Sequence, residues 1–394
     1  MKKPFIAILI FYLFFHFVIP EIYYLFYAEG HIYSDLIDPA ASNKAFWINA
    51  ISILGVICLI YAFPFNNDRT YPTINSPAAT ELFYISVLYG LIYLFVSGGF
   101  SGLLSGKLSG SLYNYTNLFF NPMVLLMCAM FLQVKKVNVF IMVLLYILLA
   151  TISGSRSGIV SILLLFLIGF GFYNFYLYRK NLKTFLYFFL ILSPFLFIFA
   201  TQLRYGSSNI DWKTIIDKII GRVSLIETSM IPIHFKDANS SHLSLFYDKY
   251  GIINQLKIII DTSIPGDLFK PDVMPNQYYR AIFLGRPESF VIQNYMSINM
   301  SLPVYFYLLF GYWGLPITIL FLFFYFFVLY KNRANAYLTI LLLSILYPIL
   351  IYFDWAMVFN QFFVTLLTMV TLFGYRAFRN SLITKNSQLK INAD

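Results

Sequence analysis

Leu302-Pro-Val-Tyr-Phe-Tyr-Leu-Leu-Phe-Gly-Tyr-Trp-Gly-Leu-Pro-Ile-Thr-Ile-Leu-Phe-Leu-Phe-Phe-Tyr-Phe-Phe-Val-Leu-Tyr330 runs from residue 302 to 330 without one charge. A bilayer core asks for about 20 apolar residues per helix, so this stretch reads as a membrane span. Runs of the same kind fall near residues 5–27, 45–65, 82–100, 118–134 and 137–152. Others fall near 159–178, 185–202, 337–353 and 357–374. The chain is 60% hydrophobic and only 11% charged, where a soluble domain carries about 25% charged residues. A water-facing surface needs more charge than that, and a lipid-facing one does not. The expected fold is an all-α polytopic membrane protein of about ten transmembrane helices. Its expected parts are a bundle over residues 1–202, a large outer loop with short helices over 203–301, helices over 302–375 and a tail over 376–394.

The formal charge of +10 records topology. With the N-terminus in the cytoplasm, the cytoplasmic segments hold fourteen Lys and Arg, and the short outer loops hold only Lys44, Lys107 and Arg156. That is the bias of the positive-inside rule, and it leaves little support for nucleic-acid binding. Both termini are then cytoplasmic. Met1-Lys2-Lys3 before an apolar run has the start of a signal peptide, but the run is long and lacks a small-x-small cleavage site, so a retained first helix is expected. The 203–301 segment carries ten basic and nine acidic residues. Within it, residues 210–230 have amphipathic spacing suited to a helix on the membrane surface.

Several residue types there suit an anionic ligand. Ser153-Gly154-Ser155-Arg156-Ser157-Gly158 joins two apolar runs, and an arginine at a membrane boundary asks for a partner. Its small neighbours leave room for a phosphate against the next helix N-terminus; a tight turn with a solvated arginine fits equally well. Arg204 at one end of the loop, and Arg280 and Arg286 at the other, have the planar fork that holds phosphates. Anchoring to lipid headgroups is the alternative. Candidate bases are Glu288, His242, His234 and Asp211, with Glu288 favoured for its arginine neighbours. Glu21, His16 and Asp354 sit at or near membrane depth, where packing roles suffice. Cys58 and Cys128 read as small hydrophobes. No metal-ligand spacing appears, and no cofactor is expected. Ser101–Leu108 resembles a phosphate loop but lacks the required first glycine and the Ser/Thr after lysine.

Ser153–Val160 at a helix junction and Leu302–Gly314 after a large loop resemble the bacterial O-antigen and capsule repeat-unit polymerases, the Wzy family. So does the plan of many spans with one large late loop, across most of the chain. The resemblance implies a metal-independent glycosyltransferase of the bacterial inner membrane. It would join undecaprenyl-diphosphate-linked oligosaccharides at the periplasmic face, beside a flippase and a chain-length regulator of the same pathway. Arg156 matches the family's Ser-Arg arginine, which implies a diphosphate contact; Arg204, Arg280 and Arg286 match its loop arginines loosely. The related O-antigen ligases usually place a histidine late in the loop, and residues 280–301 contain none. A lipid-linked oligosaccharide flippase, the third alternative, would have short loops.

Overall fold

The computed structural model describes residues 2–26, 39–64, 77–105, 111–132, 136–152, 224–238, 275–287, 300–351, 353 and 355–391, with isolated positions between. Among the described residues all regular structure is helical. The helices are α1 (Lys2–Leu13), α2 (Ile19–Phe26), α3 (Pro39–Ala62), α4 (Pro77–Ser105), α5 (Ser111–Phe119), α6 (Pro122–Phe131) and α7 (Lys136–Ile152). They continue with α8 (Ile226–Ala238), α9 (Pro275–Leu284), α10 (Leu302–Phe310), α11 (Gly314–Lys331), α12 (Ala336–Ile351) and α13 (Trp355–Ile391). Five described segments are long and apolar enough to cross a membrane: Lys2–Tyr23, Ala40–Ala62, Pro77–Val96, Leu302–Lys331 and Met357–Leu382. The spans expected at 159–178 and 185–202 lie outside the described residues.

Two compact units divide the chain, and neither is contiguous. The first takes residues 1–67, 210–331 and 345–361; the second takes the rest.

In the first unit, α1 and α2 are joined by a π-helical turn, Phe14–Val18. The sequence explains it. Pro20 has no N–H to offer the carbonyl four residues earlier, and its ring crowds that carbonyl. The residue four earlier is His16. Its carbonyl instead accepts the N–H of Leu225 at 3.1 Å, while Ile19 N–H reaches back five residues to Phe14. A defect in the first helix thus docks a remote segment of chain.

That segment leads into α8. Leu225, Ile226, Met230, Ile231 and Ile233 are at most 2% exposed, and α8 packs on α3 and α10. So residues 224–233 lie inside a helix bundle; most of the stretch 210–230 expected as a helix on the membrane surface lies outside the described residues, and its last described residues, 224–226 and 229–230, are buried. The apolar residues Ile226, Met230, Ile231 and Ile233 fall on more than one face of α8, which suits burial among other helices better than one-sided contact with a surface.

The apolar run at 302–330 folds back on itself. Gly311 has φ +60° and ends α10, and the exposed aromatic pair Tyr312 and Trp313 forms the turn before α11 begins at Gly314. A Cβ at Gly314 would overlap the Phe306 carbonyl, so only glycine lets α11 start this close to α10. The Phe306 and Phe321 rings then meet with centroids 5.8 Å apart; in a straight helix, fifteen residues would separate them by about 22 Å. The run is a span by length and apolarity, yet only α11 has the length to cross, and α10 is a half-helix lying against it.

Depths follow from helix rise. Lys2 Nζ donates to the Tyr61 carbonyl at 2.6 Å, so α1 and α3 are antiparallel. Lys44, near the start of α3, therefore lies at the opposite end of the bundle from the N-terminus. Tyr12 stands ten residues, about 15 Å, above Lys2, near the middle of its span. Ser229 Oγ lies 3.4 Å from Ser301 Oγ, and two turns later Lys236 Nζ reaches the Tyr307 carbonyl at 2.7 Å. So α8 and α10 run side by side in one direction, from mid-span to the end marked by Lys44.

In the second unit, Asn121 caps α6 by accepting the N–H groups of Met123 and Val124. Glu81 on α4 accepts from Tyr375 Oη at 2.9 Å and from Arg379 Nε at 3.1 Å, both on α13. Helix α13 continues to Ile391, through most of the segment expected as a tail.

Candidate functional site

At the end of the first unit away from the N-terminus, three elements bring charge together. Lys44 comes from α3, Lys236 and Asp237 from the last turn of α8, and Tyr307 and Tyr312 from α10 and the turn after it. Lys44 Nζ donates to both Asp237 carboxylate oxygens, at 2.8 and 3.1 Å. Lys236 Nζ donates to the Tyr307 carbonyl and stands 4.1 Å from the Tyr307 ring centroid. Lys44 Nζ is 5.1 Å from the same ring and 5.8 Å from that of Tyr312. One tyrosine ring is therefore flanked by two ammonium groups, with a cation–π attraction to each.

The position of Lys236 has a structural cause. The last carbonyls of α10 carry the negative end of its dipole; the Tyr307 carbonyl accepts the Gly311 N–H, and Lys236 is a second donor to it and also reaches the Leu308 carbonyl at 3.5 Å. Burial lowers the proton affinity of Lys236 below that of an ordinary lysine; Asp237 opposes this and Lys44 adds to it. Among the described residues, two cations against one carboxylate leave one positive charge in surplus. Tyr312 and Trp313, in the turn beside it, are 70% and 78% exposed; exposed aromatic rings can stack on sugar rings and also suit a membrane interface. The arrangement can hold an anion next to a polar, ring-shaped ligand.

Of the residues singled out in the sequence, Arg280 lies in α9 and is partly buried, and Arg286 is exposed just beyond it. Gly285, at φ +58°, ends α9, and Arg286 N–H closes the turn on the Ala281 carbonyl at 3.1 Å. The Arg286 guanidinium stands 5.7 Å from the Phe290 ring. His16 is buried in the π turn and His234 is partly buried on α8. Arg156, Arg204, Glu288, His242, Asp211 and Asp354 lie outside the described residues. Among the described residues no three His, Cys, Asp or Glu side chains gather as a metal site would require.

Sequence reasoning does not single out Lys44, Lys236 and Asp237. Lys44 counts there only as an outer-loop charge, and its partner Asp237 is 193 residues away. The usable signal is the Lys-Asp pair that closes the helix after the run Met230–Phe235. Comparison with protein-family models, curated proteins and solved structures finds no match to this chain.

Proposed function

We propose that the chain is a bacterial O-antigen or capsule repeat-unit polymerase of the inner membrane, with both termini cytoplasmic. It joins undecaprenyl-diphosphate-linked oligosaccharides at the periplasmic face. The observation that carries this reading is the surplus-cation site of Lys44, Lys236 and Asp237 beside the exposed aromatic pair Tyr312 and Trp313, at the end of an apolar helix bundle. In the reaction, the bond between the donor's anomeric carbon and its diphosphate breaks, and the electron pair leaves with the lipid diphosphate. An acceptor sugar hydroxyl forms the new bond to that carbon and gives its proton to a base. Cations near the leaving diphosphate stabilise the charge that develops there. Lys44 and Lys236 serve this role together with Arg156, Arg204, Arg280 and Arg286. Asp237, Glu288 and His242 are the candidate bases, and Tyr312 and Trp313 hold sugar.

Deleting the gene tests the pathway. The expected outcome is a surface glycan capped by a single repeat, with long chains lost. A lipid anchor carrying no glycan at all would point to a ligase or a flippase instead.

A further inference from the structure

The mid-span ends of α8 and α10 carry a second polar site, independent of the surplus-cation site. Ser301 is the N-cap residue of α10, yet its hydroxyl makes no cap bond and faces Ser229 instead. Both serines are fully buried. Beside Ser301 stands the Tyr12 hydroxyl, 1% exposed, which finds no hydrogen bond of normal geometry even though Ser301 is its neighbour. Ser224, next to the residue that docks on His16, is 2% exposed, and its hydroxyl is also unpartnered. Helix α3 packs on both α1 and α8. Ten residues in from its start, about 15 Å, it adds the buried and unpartnered Asn49 Oδ1, followed by Ser52 Oγ.

Backbone that ends a helix at membrane depth persists only where its polar groups are satisfied by protein or by water. The first amides of α10 lack a side-chain cap, and a buried polar group without a partner costs roughly 1–3 kcal/mol. Among the described residues, the side chains gathered here are neutral hydroxyls and the Asn49 amide apart from His16, whose ring lies 5.5 Å from that of Tyr12, which suits a neutral ligand better than a charged one. Water fits, since it needs only two to four polar partners.

We propose that Tyr12, Ser224, Ser229 and Ser301 enclose an internal hydration site at mid-span, and that water held there satisfies the start of the half-helix α10. Water so held fixes the lower ends of α8 and α10, and through them the height of Lys236 against Tyr307.

Radiolytic hydroxyl footprinting of the full chain in lipid nanodiscs tests this, because radicals formed from bound water label side chains that bulk solvent does not reach. Tyr12 is expected to be oxidised well above Phe5 and Phe326, which are as deeply buried at 0% exposure. Equal labelling of the three would overturn the proposal. In Tyr12→Phe the melting temperature is expected to fall as the bridging water loses a partner. A rise would mean that the hydroxyl was dry and unsatisfied, and would overturn the proposal too. Stabilisation by bromide that is lost in Tyr12→Phe would assign the site to an anion and overturn it likewise.

Discussion

Lys236 is the residue on which the site's chemistry turns most sharply. Its folded proton affinity is lowered by burial, so the unfolded chain binds more protons than the folded one between the lowered value and the ordinary one near 10.5. Stability therefore rises with pH across that window. Replacing Lys236 with Met should remove this rise, which thermal melts at a series of pH values up to the ordinary lysine range would detect; an unchanged pH profile would mean the ammonium is not buried as described. Anion binding should move the other way and weaken as Lys236 loses its proton. Lys44 and Asp237 are not legible together in the sequence, because a contact across 193 residues leaves no local pattern. Tyr307 and Tyr312 lie within the long apolar run, but nothing in it shows that two lysines flank one of them.

At the scale of elements, length and hydropathy decide a span, so the apolar runs mark most of the long described helices, though α3, α4 and α13 extend well beyond them. The breaks inside the runs are harder to see. Gly311 and Gly314 sit in an unbroken apolar stretch, and only the backbone geometry reveals that the chain reverses there. Gly311 combines φ +60° with ψ −141°, a region that side chains avoid at a cost of about 1–3 kcal/mol. Gly311→Ala should thus lower thermal stability by that order and loosen α10 from α11. Faster amide exchange across residues 302–310 would report it, and wild-type exchange and melting would contradict the fold-back. Pro20 reads in the sequence as the end of an apolar run, while its effect, the His16 carbonyl freed for Leu225, depends on a partner 209 positions beyond His16.

At the scale of the whole molecule, composition and charge already decide that this is a helical membrane protein. The orientation rests on the basic-residue bias. Single cysteines near Ser240 and Asn335, treated with an impermeant thiol reagent on intact cells, should label at Ser240 and not at Asn335. The reverse pattern would invert the topology and move the Lys44 site to the cytoplasmic face. Polymerase activity is tested most directly by incubating the purified chain in liposomes with an undecaprenyl-diphosphate-linked repeat and separating the lipid-linked products by length. The wild-type chain should yield a ladder of multiple repeats without added metal. Arg156→Ala or Lys236→Met should slow its extension by roughly tenfold or more, the effect of losing about 1.5–3 kcal/mol from a charge-assisted bond. Unextended single repeats from correctly inserted wild-type protein would contradict the polymerase reading.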